Sequence, residues 1–368
     1  MQPYPRTWVE IDLGTLGRNI AALRARIGPE PKFALVCKAD AYGHGLVPTG
    51  RWAVHHGVDV LAVATVAEGI ALREAGVESR VMVMSPTLAV ESDQAVFYGL
   101  EVFCESLESA QALSEAAQRQ GRLANLHLKV DTGLHRFGSD PTQAAALAHK
   151  ISQLPATHLQ GIASHFVDSG HDEAITNQQV TAFHQLVERM QEHGFTPEER
   201  QLANSAGAIR YPQARGNLVR IGIFAYGLDP YHLMPGELTP VLTWKARVTS
   251  IRDVECGQGL SYAWTFRTSR PSQIATLGVG YGDGYPRSLS NTGAVWVRGA
   301  QAPVVGLVMM DQTLIDVTDV PGVEIGDEVE LVGRNISAVW LAQQSQTNTH
   351  EIITRIMLRV NRRYLYPY

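Results

Sequence analysis

FALVCK, residues 33–38, is an apolar run of strand length that ends on a lysine. Seven runs of the same texture follow it: VLAVAT (60–65), RVMVMS (80–85), LEVFC (100–104), NLHLKV (125–130), HLQGIAS (158–164), RQLAN (200–204) and NLVRIG (217–222). Longer segments of helical period separate them, the pattern of repeated βα units around a parallel sheet. In SLESAQALSEAAQRQG, Ser106 is placed to cap a helix, Leu107, Ala110, Ala112 and Leu113 to pack, and Gly121 to stop it. Eight units in about 200 residues predict an α/β fold built on a TIM-type (β/α)8 barrel over residues 14–234.

Beyond Pro235 the texture changes. Thr, Val and aromatic residues dominate, turns such as Glu255-Cys256-Gly257 and Asn291-Thr292-Gly293 recur, and helical periods vanish until about residue 336. Residues 235–368 are therefore expected to form a mostly antiparallel β domain. The run WVEIDL (8–13) precedes the barrel, and segment 1–13 is expected to join that domain's sheet.

Composition bounds the function. The chain of 368 residues is long enough for two domains, and 45% hydrophobic with 18% charged residues suits a folded, soluble protein. Acidic residues number 36 against 31 Lys plus Arg, a net charge of −5, so no broad basic field draws nucleic acid. Cys37, Cys104 and Cys256 are too scattered for a disulfide framework or a zinc site; no metal is expected, and a reducing cytoplasm is the expected compartment. MQPYPRTWVEID lacks the basic start and apolar core of a leader, and no apolar run reaches the roughly 18 residues of a membrane span.

Chemistry gathers where barrel enzymes build their sites, at the C-terminal ends of strands. Lys38 follows an apolar strand, where burial lowers an amine's pKa and suits it to Schiff-base chemistry. Lys129, Asp131 and Arg136 follow the fifth strand, His165 the sixth, Asn204 and Ser205 the seventh, and Arg220 lies on the eighth. The end of strand seven with Arg220-Ile221-Gly222-Ile223 is the usual phosphate position of such barrels, so a phosphate-bearing cofactor is expected.

VCKADAYGHG (36–45), with KVDTGLHRFG, NSAG, VRIGIFAYGLDP, GLSYAWTF, VGYGDGYPR and MMDQTLID in that order, resembles the bacterial alanine racemase family over essentially the whole chain. The resemblance implies a fold type III pyridoxal 5'-phosphate enzyme, a homodimer with shared active sites, and interconversion of L- and D-alanine in the service of cell-wall peptidoglycan or of D-alanine breakdown. It implies that Lys38 holds the cofactor as an internal aldimine and is the base on one face of Cα, with Tyr262 of the other subunit as the opposite base. Two fixed bases suit racemisation, in which a planar carbanion loses a proton from one face and regains it on the other. A tyrosine ordinarily gives up its proton only in alkaline solution, and His165 beside Arg220 would supply the charged surroundings that help. Arg220 would face the pyridine nitrogen, where a guanidinium can only donate and leaves the ring unprotonated, keeping the carbanion short-lived. Tyr42, Ser205, Gly222 and Ile223 would hold the phosphate, with Tyr281 completing the shell. Arg136 and the backbone of Met310 would receive the substrate carboxylate; Lys129 corresponds to a lysine often carried as a carbamate that steadies Arg136, its alternative being an unmodified lysine paired with Asp131 or another acid; Asp311 would line the access path.

The chain departs from the family pattern at three places. His350 stands where relatives often have tyrosine, and no role is assigned to it. Met309 replaces a frequent cysteine, a packing change, and the bulky Trp264 would narrow or reshape the substrate channel. Cys37 should point into the core. A related serine or broader-specificity racemase is the main alternative. A fold type III decarboxylase is opposed by Arg220 and the Tyr262 block, and a non-enzymatic pyridoxal-phosphate carrier by the long region beyond the barrel. The purified protein should be yellow, and borohydride reduction should abolish the absorption band and fix the cofactor on Lys38; peptide mapping that finds the label elsewhere refutes the assignment.

Overall fold

The computed structural model describes residues 5–367, so residues 1–4 of segment 1–13 and residue 368 of the C-terminal region lie outside the described residues. Strand β1 (Thr7–Asp12) leads into helix α1 (Leu13–Ile27), whose Asp12 cap accepts from the backbone of Thr15. Eight parallel strands follow: β2 (Lys32–Val36), β3 (Val60–Val63), β4 (Arg80–Val83), β5 (Glu101–Cys104), β6 (Ala124–Lys129), β7 (Thr157–Ala163), β8 (Glu199–Gln201) and β9 (Leu218–Ile221). They pair in the order β8-β7-β6-β5-β4-β3-β2-β9, with helices between them, so the TIM-type arrangement expected from the apolar runs is the one found. Both faces of such a sheet are covered, which is why β3 and β9 are buried at every residue; β3 reads as an unbroken apolar run and β9 is interrupted only by Arg220. Ser106 caps the helix Leu107–Gln120 and Gly121 ends it in the left-handed conformation.

Between β8 and β9 the barrel closes on two backbone hydrogen bonds, Asn217 to Arg200 and Arg220 to Ala203. The Asn217 side chain substitutes for further rungs, accepting from the Arg200 N–H and donating to the Glu198 carbonyl. Strand β8 is shorter than the RQLAN run suggested. Beyond it the Asn204 side chain accepts from the Gly207 N–H and starts the helix Ser205–Arg210, which takes the chain out of the sheet.

At the top of β2 the chain turns rather than continuing. The strand ends at Val36, and Ala39, Asp40, Ala41 and Tyr42 all have φ between 52° and 55°, a full turn of left-handed backbone without a single glycine. Each such residue costs roughly 1–2 kcal/mol in crowding between Cβ and the carbonyl oxygen. The turn is held from outside: Asp40 accepts from the Leu46 N–H at 2.8 Å, and Glu68 accepts from the Ala39 N–H at 2.6 Å. The glycines that follow approach the second domain too closely for any side chain. A Cβ at Gly43 would lie 2.4 Å from the Ile353 carbonyl oxygen, and one at Gly45 would lie 1.9 Å from the Tyr364 hydroxyl.

The second domain is centred on the long strand β10 (Leu242–Val254), which pairs antiparallel with β1, with Ser272–Leu277 and with Glu328–Val332. Asn361–Leu365 pairs with the other edge of β1, and in parallel, so the mostly antiparallel sheet has one exception. Asn19 on α1 ties the barrel to the chain entering this sheet. It is buried, donates to the carbonyls of Ala225 and Thr239, and accepts from the Thr239 N–H. Among the described residues no helix is long and apolar enough to cross a membrane, and no group of His, Cys, Asp or Glu is placed to hold a metal ion.

Asn19→Ala leaves the buried Ala225 carbonyl and two half-buried Thr239 backbone groups without their partner and should lower stability by about 2 kcal/mol, read from the urea midpoint. In the left-handed turn, Ala39→Gly should raise stability by about 1 kcal/mol, whereas Ala112→Gly in the right-handed helix Leu107–Gln120 should lower it by about the same amount. The same sign for both glycine substitutions would contradict the strain assigned to the turn.

Candidate functional site

The mouth of the barrel holds a cavity of about 770 Å³, lined by Lys38, Tyr42, Lys129, Arg136, His165, Ser205, Arg220, Gly222 and Ile223. The size is that of a small-molecule site. The left-handed turn sets its floor: by curling back after β2 it presents Lys38 to the cavity while Cys37 turns into the core and is fully buried. Burial, and then the charge of Arg136, pulls the Lys38 amine below the usual lysine range. Tyr42, at the end of the turn, is almost wholly buried. Gly222 faces it. A Cβ there would lie 2.7 Å from the Tyr42 hydroxyl, so only glycine leaves room beside it, and the Gly222 N–H donates to the Ser205 hydroxyl at 2.9 Å.

Arg220 on β9 is buried, and its guanidinium donates to the Ser164 carbonyl at 2.6 Å and to Nδ1 of His165 at 3.4 Å. Burial and then Arg136 lower its pKa to about 10, which still leaves it charged at neutral pH. Because a guanidinium has no acceptor, His165 must offer a lone pair at Nδ1 and carry its proton on Nε2. Burial, then Arg220, Arg136, Lys129 and Lys38, hold this imidazole far below the ordinary histidine range. His165 is neutral, and the cation beside it is Arg220.

Lys129 at the end of β6 is buried and donates to the Val130 carbonyl at 3.0 Å. Its pKa is pulled down to about 7 by burial and then by Arg220, so a substantial share of it is free amine at neutral pH. Asp131, the alternative partner suggested by the sequence, accepts instead from the backbone N–H groups of Gly133 and His135. His350 also lines the cavity, with its ring 5.6 Å from that of Tyr42. Burial and then Lys38 lower its pKa. Sequence reasoning gave it no role, and no spacing in the chain links residue 350 to residue 42.

Four of the residues singled out from the sequence lie elsewhere. Tyr262, Tyr281, Met310 and Asp311 line a second cavity of about 500 Å³ on the β domain. Tyr262 sits in the connection between Gly259–Leu260 and Phe266–Arg267 and is 72% exposed. Tyr281, expected beside Tyr42 and Ser205, is instead with Tyr262, because its loop is pinned to another: its N–H donates to the Met309 carbonyl and that of Gly282 to the Met310 carbonyl. Within one chain Met310 is therefore apart from Arg136. Asp311 pairs with Arg359 at 2.7 Å, and Arg359 also holds Asp283. Trp264, expected to narrow the channel, folds back onto Gly259, where a Cβ would lie 2.3 Å from the indole, and the Arg267 guanidinium stands 5.3 Å from its ring. It braces the turn that carries Tyr262 instead of lining this cavity.

Comparison with known proteins agrees with this architecture. The model of the alanine racemase N-terminal domain matches residues 11–230, and that of the C-terminal domain matches residues 241–364. An alanine racemase of Methylacidiphilum infernorum is 39% identical over 98% of this chain and 93% of its own length. Among solved structures, an alanine racemase of Clostridium difficile 630 superposes with a TM-score of 0.95 at 30% identity, covering 99% of this chain and 97% of that one. One from Bartonella henselae, described with covalently bound pyridoxal phosphate, gives 0.90 at 27% identity, covering 98% of this chain and 100% of that one. With both halves of the sequence matched and full-length relatives above 30% identity, the chain belongs to the alanine racemase family and is an amino-acid racemase.

Proposed function

We propose that this racemase interconverts L- and D-alanine with pyridoxal 5'-phosphate, as a homodimer in which each site joins the barrel mouth of one subunit to the Tyr262 face of the other. The observation that carries this reading is the division of the chemistry between two cavities. Lys38, Arg136 and Arg220 line one, while Tyr262 and Met310 line another. Tyr262, Trp264 and Met310 are more than half exposed on that second face, an apolar area that a second copy would cover.

The barrel mouth fits the cofactor. The glycine at 222 keeps the space beside Tyr42 and Ser205 open for a phosphate, and the surrounding cations favour an anion. Lys38 would hold the cofactor covalently, Tyr42, Ser205, Gly222 and Ile223 its phosphate, and Arg220 its ring nitrogen. When bound, pyridoxal phosphate supplies the electron sink that acidifies the Cα proton. Lys38 Nζ, depressed by burial, takes or returns that proton on one face, and Oη of the partner subunit's Tyr262 does so on the other. Neutral His165 transmits the influence of Arg220 without adding a second charge. Arg136, with the backbone of the partner subunit's Met310, receives the substrate carboxylate. Tyr281 and Asp311 then line the approach from the partner's side. Lys129, with its free amine fraction, is open to reaction with carbon dioxide, giving the carbamate that steadies Arg136.

The test is twofold. Purified protein with pyridoxal phosphate should racemise alanine in both directions with kcat/KM above that for serine; the reverse order favours a serine or broader-specificity racemase. Lys38→Ala and Tyr262→Ala proteins, each nearly inactive, should recover about a quarter of wild-type activity when unfolded together and reassembled. Random pairing makes about half the dimers mixed, and each mixed dimer has one intact site. No recovery, with mixed dimers confirmed by mass, refutes the shared site.

A further inference from the structure

A continuous line of buried polar side chains runs down the inside of the barrel from Arg220, away from the cavity. The Arg220 guanidinium donates to Oε1 of Gln201 on β8 at 3.4 Å, Nε2 of Gln201 donates to Nδ1 of His127 on β6 at 3.0 Å, and Nε2 of His127 donates to Glu101 at the foot of β5 at 3.1 Å. Arg80, at the foot of β4, grips Glu101 through two nitrogens at 2.5 and 2.8 Å and reaches Glu199 at the foot of β8. Gln201 and His127 have no exposed surface, and Glu101 has 5%.

Two ends that cannot reverse fix the direction of every bond. A guanidinium only donates, so the amide oxygen of Gln201 must face Arg220 and its NH2 must face His127. Glu101, which its His127 and Arg80 partners hold ionised with a pKa of about 2 against the opposing effect of burial, only accepts, so His127 must present an N–H to it. Both ends therefore require the same tautomer, with the His127 proton on Nε2 and the lone pair on Nδ1. The backbone is shaped around this ring. The β6–β7 register slips between Leu126 and His127, and the residue then opposite is Gly161, where a Cβ would stand 3.0 Å from His127 Nδ1 and 2.5 Å from the Glu199 carbonyl oxygen. Apolar side chains would fill a barrel interior more cheaply than a charged and oriented chain.

We propose that Glu101, His127 and Gln201 are positioning residues for Arg220, a one-way relay that anchors its guanidinium to the salt-bridged foot of the barrel and holds it against the reacting end of the pocket. The proposal rests on Arg220 facing the cofactor, as set out above. Position 201 isolates the effect because three replacements of comparable bulk differ in polarity. Histidine can donate to His127 and accept from Arg220, as glutamine does; glutamate can only accept; leucine does neither.

Gln201→His should keep kcat within about threefold of wild type. Gln201→Glu and Gln201→Leu should each lose at least tenfold in kcat with KM within about threefold, and equilibrium dialysis of the holoenzyme should show pyridoxal phosphate bound at least fivefold more weakly. A packing role predicts the opposite ranking, with the near-isosteric glutamate closest to wild type, and that result overturns the proposal. Protein labelled with 15N-histidine supplies a reading that needs no activity. The His127 resonance, identified by its loss in His127→Phe, should show the neutral Nε2–H form in wild type and a charged ring in Gln201→Glu. An unchanged His127 signal in Gln201→Glu also overturns the relay. If wild-type protein shows that tautomer yet neither binds pyridoxal phosphate nor racemises alanine, the relay stands as structure and its assignment to catalysis falls with the functional reading.

Discussion

The left-handed turn at residues 39–42 is the constraint on which the rest of the molecule depends. Four consecutive residues sit in backbone conformations that L-amino acids avoid, and the turn's own backbone hydrogen bonds, Ala41 to Cys37 and Gly43 to Ala39, are no more than a right-handed turn would make. It persists because both domains press on it: Glu68 and Asp40 hold its N–H groups and neighbours from the barrel side, and Ile353 and Tyr364 close over Gly43 and Gly45 from the β domain. Interdomain packing and the orientation of Lys38 are therefore one problem. A change at the seam, even one far from the cavity wall, should be felt as a displacement of the lysine.

The cavity concentrates positive charge in a chain that is acidic overall. Lys38, Lys129, Arg136 and Arg220 surround one histidine, and each contributes to keeping it neutral. Such crowding is unfavourable without an anion, and it accounts for the low pKa values of Lys129 and Arg220 alongside burial. An anionic ligand relieves it. The same charges that disfavour each other in the free protein would thus become the source of affinity for the phosphate and carboxylate of the proposed reaction, a form of preorganisation in which the cost is met during folding.

Most barrel strands were legible because they are buried on both faces and so read as apolar runs of strand length, with ends placed to within two residues; the largest difference is at β8, which stops at Gln201 because Asn204 leaves the sheet to cap a helix. Lys38, Lys129, His165, Ser205 and Arg220 stood out as polar residues at or just beyond the ends of such runs, whereas Tyr42, Gly222 and Ile223 were singled out only through the family resemblance. The relay was not, since His127 lies inside its strand, where a single polar residue looks like an imperfection in the pattern, Gln201 sits among other polar residues of β8, and the partners of both come from strands far away in sequence. Where Tyr281 and Trp264 lie within one chain was not legible for a related reason: a motif identifies a residue without saying which loop will pin it, and backbone contacts with Met309 and a bare glycine at 259 set their positions. His350 reaches the cavity only because the C-terminal helix Thr349–Thr354 folds over the barrel, a long-range arrangement with no local signature.

Strand β1 has a consequence for how the molecule comes into being. It lies between β10 and the final strand, so Trp8 pairs with Lys245 on one side and Asn361 on the other. Most barrel strands pair with a near neighbour in sequence, whereas Trp8, Val9 and Ile11 of β1 are covered only when β10 and then Asn361–Leu365, both remote in sequence, are in place. The sheet of the β domain is therefore of higher contact order than the barrel beside it, and its closure around β1 is expected to be the slower step of folding.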